Sequence, residues 1–218
     1  MEIYEARCAL GKPYEWKVIE NKNYLVNTSA INEVVLYDPL IQTPDLYLKF
    51  GQLKVTELEI LEFVKIYGDL GAGSKFIKGT NYLAWEMSWL RKEIKDFRTA
   101  INGWADASKH LYAENVEDNR WSEWFKDNRW NEWAPIIGQR VEQYVKAMIL
   151  VNPVRSVWLV RGAIPVAWLQ LWMAIGKQAP VAQCSECTNI FELAPTRRFK
   201  KKFCSDSCKQ KSWRKNRK

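Results

Sequence analysis

Four of the five cysteines crowd into the last 35 residues, as Cys184-Ser-Glu-Cys187 and, after sixteen residues, Cys204-Ser-Asp-Ser-Cys208. Thiolates at C-x2-C and C-x3-C, separated by a loop long enough for a hairpin, can converge on one tetrahedral ion at about 2.3 Å. This pattern constrains the fold more than any other, because a segment of about 35 residues cannot bury enough surface to fold alone. Metal binding, at roughly 10 to 16 kcal/mol, has to supply the missing free energy. Four sulfur ligands leave no coordination position for water, so the site is structural and not catalytic. Cys184, Cys187, Cys204 and Cys208 are therefore expected to hold one Zn2+, with an iron–sulfur cluster as the other soft-ligand candidate.

The residues between and after the cysteines fit that expectation. Ile190 to Leu193 and Arg198 to Phe203 read as two short strands around Ala194-Pro195-Thr196, with Phe191, Phe199 and Phe203 as a small apolar cluster. Ser205 is a good N-cap and Asp206 suits a first turn, which places Cys208 inside a helix running through Trp213. Two disulfides are the competing use of four cysteines. The chain opens on the acidic Met1-Glu2-Ile3-Tyr4-Glu5 with no apolar run and cleavage site behind it, so it reads as cytoplasmic, with its thiols reduced.

Charge divides the chain at the same place. Of 33 Lys and Arg, 11 lie from Val181 onward, and of 25 Asp and Glu only 3 do, which leaves 22 of each before Val181. The whole net charge of +8 thus sits on the cysteine segment. Four thiolates and Zn2+ reduce it to about +6, still the footprint of a nucleic-acid contact surface. Arg197, Arg198, Lys200, Lys201, Lys202, Lys209, Lys211, Arg214, Lys215, Arg217 and Lys218 are the candidate contacts. Arg198 and Arg214 suit base contacts, because Arg grips guanine bidentately while Lys acts as a point charge. A charge run that only keeps a terminus soluble is the plainer alternative.

Residues 1–180 read as one ordinary domain. Tyr14 to Ile19, Tyr24 to Thr28 and Ile31 to Tyr37 suggest a small antiparallel sheet with an Asn-rich turn at 21–23. Helical spacing begins near Asp45, and Thr56 caps a helix that Gly68 and Gly71 end, with Leu58, Leu61, Phe63, Val64 and Tyr67 on its apolar side. Glu57, Glu59 and Glu62 belong to its solvated face. Gly71-Ala-Gly73-Ser74-Lys75 lacks the order and spacing of a phosphate loop and is a turn. Longer helices are expected over 80–114, from Pro135 to Met148 and from Ile164 to Ile175. The near-repeat Asp118-Asn-Arg-Trp121-Ser-Glu-Trp124 and Asp127-Asn-Arg-Trp130-Asn-Glu-Trp133 suits a helical face packed on a core, with base or ligand stacking as the other use.

No stretch reaches the roughly 18 apolar residues of a membrane span. No nucleophile is paired with a base, and the lone His110 makes no constellation, so the chain does not read as an enzyme. Cys8 reads as a small core or half-buried residue. The fold expected is α+β: a mainly helical body with a small N-terminal antiparallel sheet over 1–180, then a treble-clef-like zinc finger over 181–218.

Tyr24-Leu-Val-Asn-Thr28, the helix containing Trp168-Leu-Gln-Leu-Trp172, and Cys184-x2-Cys187 with Phe191, Arg198, Phe203-Cys204-Ser205 and Cys208 together resemble a bacterial family. Its members join an N-terminal ABATE-type domain to a C-terminal CGNR-type zinc finger and are described as stress-induced transcription regulators. In this chain the Cys-Gly-Asn-Arg stretch at the last ligand is Cys208-Lys209-Gln210-Lys211. The resemblance implies a zinc-dependent DNA-binding regulator, with DNA favoured over RNA as the partner. An RNA-binding or protein-interaction adaptor built on a structural zinc module is the alternative, since charge alone does not separate DNA from RNA. A Trp-rich body with twelve Trp could also take a small molecule or a protein between its helices.

Overall fold

A computed structural model describes residues 3–10, 13–28, 35–77, 82–111, 130–145, 148–152, 155–177, 179–193, 201–215 and 217. Its elements in chain order are β1 (Ile3–Leu10), β2 (Tyr14–Ile19), β3 (Lys22–Asn27), β4 (Val35–Tyr37), α1 (Pro39–Gln42), α2 (Leu46–Gln52), α3 (Glu57–Tyr67), β5 (Lys75–Phe76) and β6 (Leu83–Glu86). Then follow α4 (Met87–Leu111), α5 (Trp130–Val145), β7 (Met148–Asn152), β8 (Arg155–Arg161), α6 (Ala163–Gly176), β9 (Val181–Gln183), β10 (Ile190–Glu192) and α7 (Asp206–Lys215). Two compact units result, one of residues 1–97 and 138–170, the other of residues 98–137 and 171–218.

The first unit holds two four-stranded sheets. One is antiparallel, in the order β2-β3-β6-β5. Its β2–β3 hairpin closes on Glu20 and Asn21, both at positive φ (50° and 61°), the two-residue geometry whose twist matches that of paired strands. The other sheet, β4-β1-β8-β7, pairs β1 antiparallel with β4 but parallel with β8, residue Ile3 opposite Val157. The expected small antiparallel sheet is thus present, but the three pieces that suggested it separate. Two of them lie in the first sheet, while the third, Ile31 to Tyr37, of which 35–37 are described, joins the second through those residues.

Helix boundaries follow local chemistry. Thr56 Oγ1 accepts from Glu59 N–H at 3.3 Å to start α3, and Gly68 at φ 82° ends it. On α3 the buried residues are Ile60, Phe63 and Val64, whereas Leu58 is exposed. The expected helix over 80–114 begins instead at Met87, because Leu83–Glu86 pairs with β3 as β6. Met148 likewise opens a strand rather than ending α5.

Phe63, Phe50, Phe97 and Trp168 form an unbroken aromatic series through this core, with successive ring centroids 5.7, 4.9 and 4.7 Å apart. The Phe50–Phe97 and Phe97–Trp168 pairs meet edge to face, each worth about 0.5 to 1.5 kcal/mol beyond the area buried. Trp168 Nε1 donates to the fully buried Glu93 at 2.7 Å, and Tyr144 Oη donates to the same oxygen at 2.9 Å. Arg140 lies 3.1 Å from Glu93 and 2.7 Å from Asp96. Burial pushes the Glu93 carboxyl above its ordinary range, against the pull of Arg140, Trp168 and Tyr144. Asp96 is also opposed by burial, but bonds from Lys92 and Arg140 bring it below its ordinary value.

Buried Gln170 fastens the chain before α2 to α6: its amide donates to the carbonyls of Pro39 (3.2 Å) and Thr43 (2.8 Å) and accepts from Tyr47 N–H (3.0 Å). Gly71 and Gly162, at φ 80° and 90°, let two backbone segments meet so closely that a Cβ at either would strike the other's main chain. There the N–H groups of Ala163 and Ile164, which open α6, donate to the carbonyls of Asp69 and Leu70. The Gly71–Lys75 segment is a turn followed by β5, as its spacing requires. No helix among the described residues is long and apolar enough to cross a membrane.

In the second unit Trp104 Nε1 donates to Ala179 O at 3.1 Å, and Ser108 Oγ accepts from Val181 N–H at 3.4 Å. Trp133 is buried against Gly103, where any Cβ would meet the indole. The second Trp of the near-repeat's second copy is thus a core residue, while 112–129, with the whole first copy, lie outside the described residues.

Candidate metal centre and basic surface

The cysteine segment begins with the β9–β10 hairpin, whose register sets Val181 opposite Glu192 and Gln183 opposite Ile190. Its tip is the first cysteine pair. Cys184 N–H donates to Asn189 O at 2.8 Å and Thr188 N–H to Cys184 O at 3.0 Å, folding Cys184–Cys187 into a knuckle. Thr188 takes a φ of 62°, a left-handed conformation unusual for a β-branched residue. This pairing is one the sequence does not announce. Ile190 pairs back across the knuckle to β9; of the other expected strand, Arg198 to Phe203, residues 198–200 lie outside the described residues and 201–203 are not in a strand. Period-two patterning marks a strand but does not name its partner, and the tight knuckle brings Val181–Gln183 within reach first.

The second cysteine pair is built as its sequence requires. Ser205 Oγ accepts from Cys208 N–H at 3.3 Å and Ser205 O accepts from Lys209 N–H at 3.1 Å, so Cys208 lies in the first turn of α7. Ser185 N–H donates to Lys202 O at 3.0 Å, which brings this half against the knuckle. Lys215 pairs with Glu186 at 2.6 Å.

All four sulfur atoms then lie within 4.8 Å of one another. Cys204 Sγ is 3.6 Å from both Cys187 Sγ and Cys208 Sγ. A tetrahedron with bonds of about 2.3 Å has sulfur–sulfur edges of about 3.8 Å, so the cluster fits one metal ion. Around it Ala182, Cys184, Phe191, Leu193 and Cys208 are buried, with Cys187, Phe203 and Cys204 packed on them. Phe191 and Phe203 thus join the small cluster expected of them; Phe199 lies outside the described residues.

Without a metal the thiols differ. Burial opposes ionisation of Cys184, but backbone N–H groups at Cys187, Cys204 and Glu186 bring it down to about 6. Burial and neighbouring thiols push Cys204 up to about 12, and Cys187 is also raised, burial being the first cause. A thiolate therefore forms readily at Cys184, whereas Cys187 and Cys204 need a cation to displace their protons.

Of the eleven basic candidates, Lys201, Lys202, Lys209, Lys211, Arg214, Lys215 and Arg217 are described and all are exposed. Arg197, Arg198, Lys200 and Lys218 lie outside the described residues. Lys211, Arg214 and Lys215 share one face of α7 at i, i+3 and i+4 spacing. Lys201 stands 5.2 Å from the Phe191 ring centre and Arg217 3.5 Å from that of Trp213. Sequence reading missed an open groove of about 570 Å3 beside α7, lined by Phe203, Asp206, Lys209, Gln210, Ser212 and Trp213. Its signal was present in Trp213, a large aromatic at a helix position surrounded by Lys and Arg.

No protein-family model matches the chain, nor does any curated protein or any solved structure.

Proposed function

We propose that the four cysteines bind one structural zinc ion and so fold a treble-clef-like finger whose exposed Lys and Arg bind DNA, in a transcription regulator of the ABATE and CGNR type. One observation carries this reading: seven exposed cations stand on a segment organised around a metal-ready cysteine cluster, while the chain before Val181 is charge-balanced. Zinc suits a closed set of four thiolates, and a closed site assigns the chemistry to the surrounding side chains.

The contact is electrostatic first. If the zinc-loaded protein engages about five phosphates, log K for duplex DNA falls against log salt with a slope near −4.5. A salt-independent affinity overturns the assignment. Competition between duplex DNA and structured RNA reads the partner directly, and tighter binding to RNA would replace the regulator by an RNA adaptor.

A further inference from the structure

The groove beside α7 combines features that phosphate contact alone does not use. Phe203, half-buried, and Trp213, 55% exposed, give it apolar walls. The Arg217 guanidinium lies 3.5 Å from the centre of the indole, over one side of the ring. The indole remains more than half exposed, an unusual condition for the largest apolar side chain. Lys209 lines the groove, and Lys202 and Lys211 are exposed on the same segment. Asp206 and Gln210 supply hydrogen-bonding groups along α7.

This arrangement separates two chemistries. Asp206 and Lys209 together leave the groove's lining without net charge, while Lys202 and Lys211 attract anions around it. An occupant that fits both has a flat, uncharged, hydrogen-bonding ring attached to an outlying anion, which describes a nucleotide and not an acidic peptide. In a duplex the base faces are stacked and their pairing edges occupied, so only an unpaired base can present both to the groove.

We infer that Trp213 is a stacking platform for an unpaired base, with Asp206 and Gln210 facing its edge and Lys209 its phosphate. This rests on the nucleic-acid reading above and deepens it: of the DNA that reading names, the preferred form is one with unpaired bases exposed rather than closed duplex. Base stacking on an aromatic side chain tolerates any sequence and suits a surface rich in Lys.

The test uses the zinc-loaded full chain with three probes at one salt concentration: a short single-stranded DNA carrying 2-aminopurine, its duplex, and inorganic polyphosphate. The single strand should bind on the order of tenfold more tightly than the duplex, with 2-aminopurine fluorescence quenched. Trp213→Ala should abolish the quenching and the single-strand advantage while keeping duplex affinity, salt slope and zinc stoichiometry; Trp213→Phe should retain most of the advantage. Equal affinity for single strand and duplex in the unaltered protein, or no loss in Trp213→Ala, overturns the stacking site while leaving phosphate contact standing. Failure of all three probes to bind overturns the nucleic-acid reading itself. A glutamate-rich peptide that displaces the single strand at matched charge assigns the groove to a protein partner and overturns the inference.

Discussion

Phe97 and Cys208 are both buried, yet different forces keep them so. Phe97 sits in a series of four aromatic rings, surrounded by residues drawn from distant parts of the chain, and hydrophobic burial of roughly 1.5 to 3 kcal/mol per large side chain accumulates there. Cys208 belongs to a cluster of five buried residues, of which two are themselves cysteines. Such a cluster is too small to offset the ordering of its own backbone, at roughly 1 to 2 kcal/mol per residue. The aromatic core holds its region by burial, whereas the cysteine segment, on the proposal above, folds only with its metal bound. A fold conditional on metal also places its charged surface under the control of metal supply.

The largest effect should therefore separate the two regions. Replacing Cys204 by Ser, or removing the metal with a chelator, should lose most of the roughly 10 to 16 kcal/mol of metal binding, with amides of α7 exchanging freely and metal stoichiometry falling to zero. The aromatic core of residues 50, 63, 97 and 168 should keep its near-ultraviolet circular dichroism. Retained metal in Cys204→Ser would break the ligand set, and loss of the core signal would break the contrast.

An intermediate effect tests what the first region tolerates. Arg140→Met leaves Glu93 buried without its cation and should cost about 3 to 5 kcal/mol in urea denaturation. Adding Glu93→Gln should restore much of that loss. Because the folded pKa of Glu93 is raised, its proton is held more tightly folded than unfolded. Stability contributed by this group falls as pH rises from about 4.3, the unfolded value, until Glu93 itself ionises. Asp96, lowered in the fold, works in the opposite sense and loses its contribution as pH drops below about 3.9. Glu93→Gln should remove the decline between the two Glu93 values; an unchanged pH profile would show that Glu93 does not cause it.

The smallest effect concerns the knuckle. Thr188 holds its left-handed backbone at a cost that glycine does not bear, so Thr188→Gly should tighten metal binding by about 1 kcal/mol, roughly fivefold. Weaker binding would show that the bond from Thr188 Oγ1 to Cys187 O, at 2.6 Å, matters more than the strain.

What sequence makes legible is chemistry confined to neighbours. The Thr56 cap, the Gly68 stop, and the Ser205 cap that places Cys208 in a first turn are all decided within four residues. The four cysteines announce their convergence for the same reason, since thiolates have few other uses in close pairs. Pairing at a distance is not announced. β10 finds β9 on the far side of the knuckle, and Val35–Tyr37 leaves the hairpin of β2 and β3 for β1. Glu93 and Arg140 are also hidden, because a charged residue in a helical pattern reads as solvated until its partners on other helices are known. Trp213 among Lys and Arg was a visible signal of the groove, but its exposure needed the fold, as exposure cannot be read from residue type.

The parallel pairing of Ile3 with Val157 has a consequence in time. The first strand of the chain cannot complete its ladder until some 150 further residues exist, which at synthesis rates of about 5 to 20 residues per second is a wait of roughly 8 to 30 s. Through that interval β4 can cover only one edge of β1, over Cys8 to Leu10. The other edge is an open template for a neighbouring nascent chain. In a cell this protein's yield should depend less on its finished stability than on what shelters residues 3–7 while β8 is still being made.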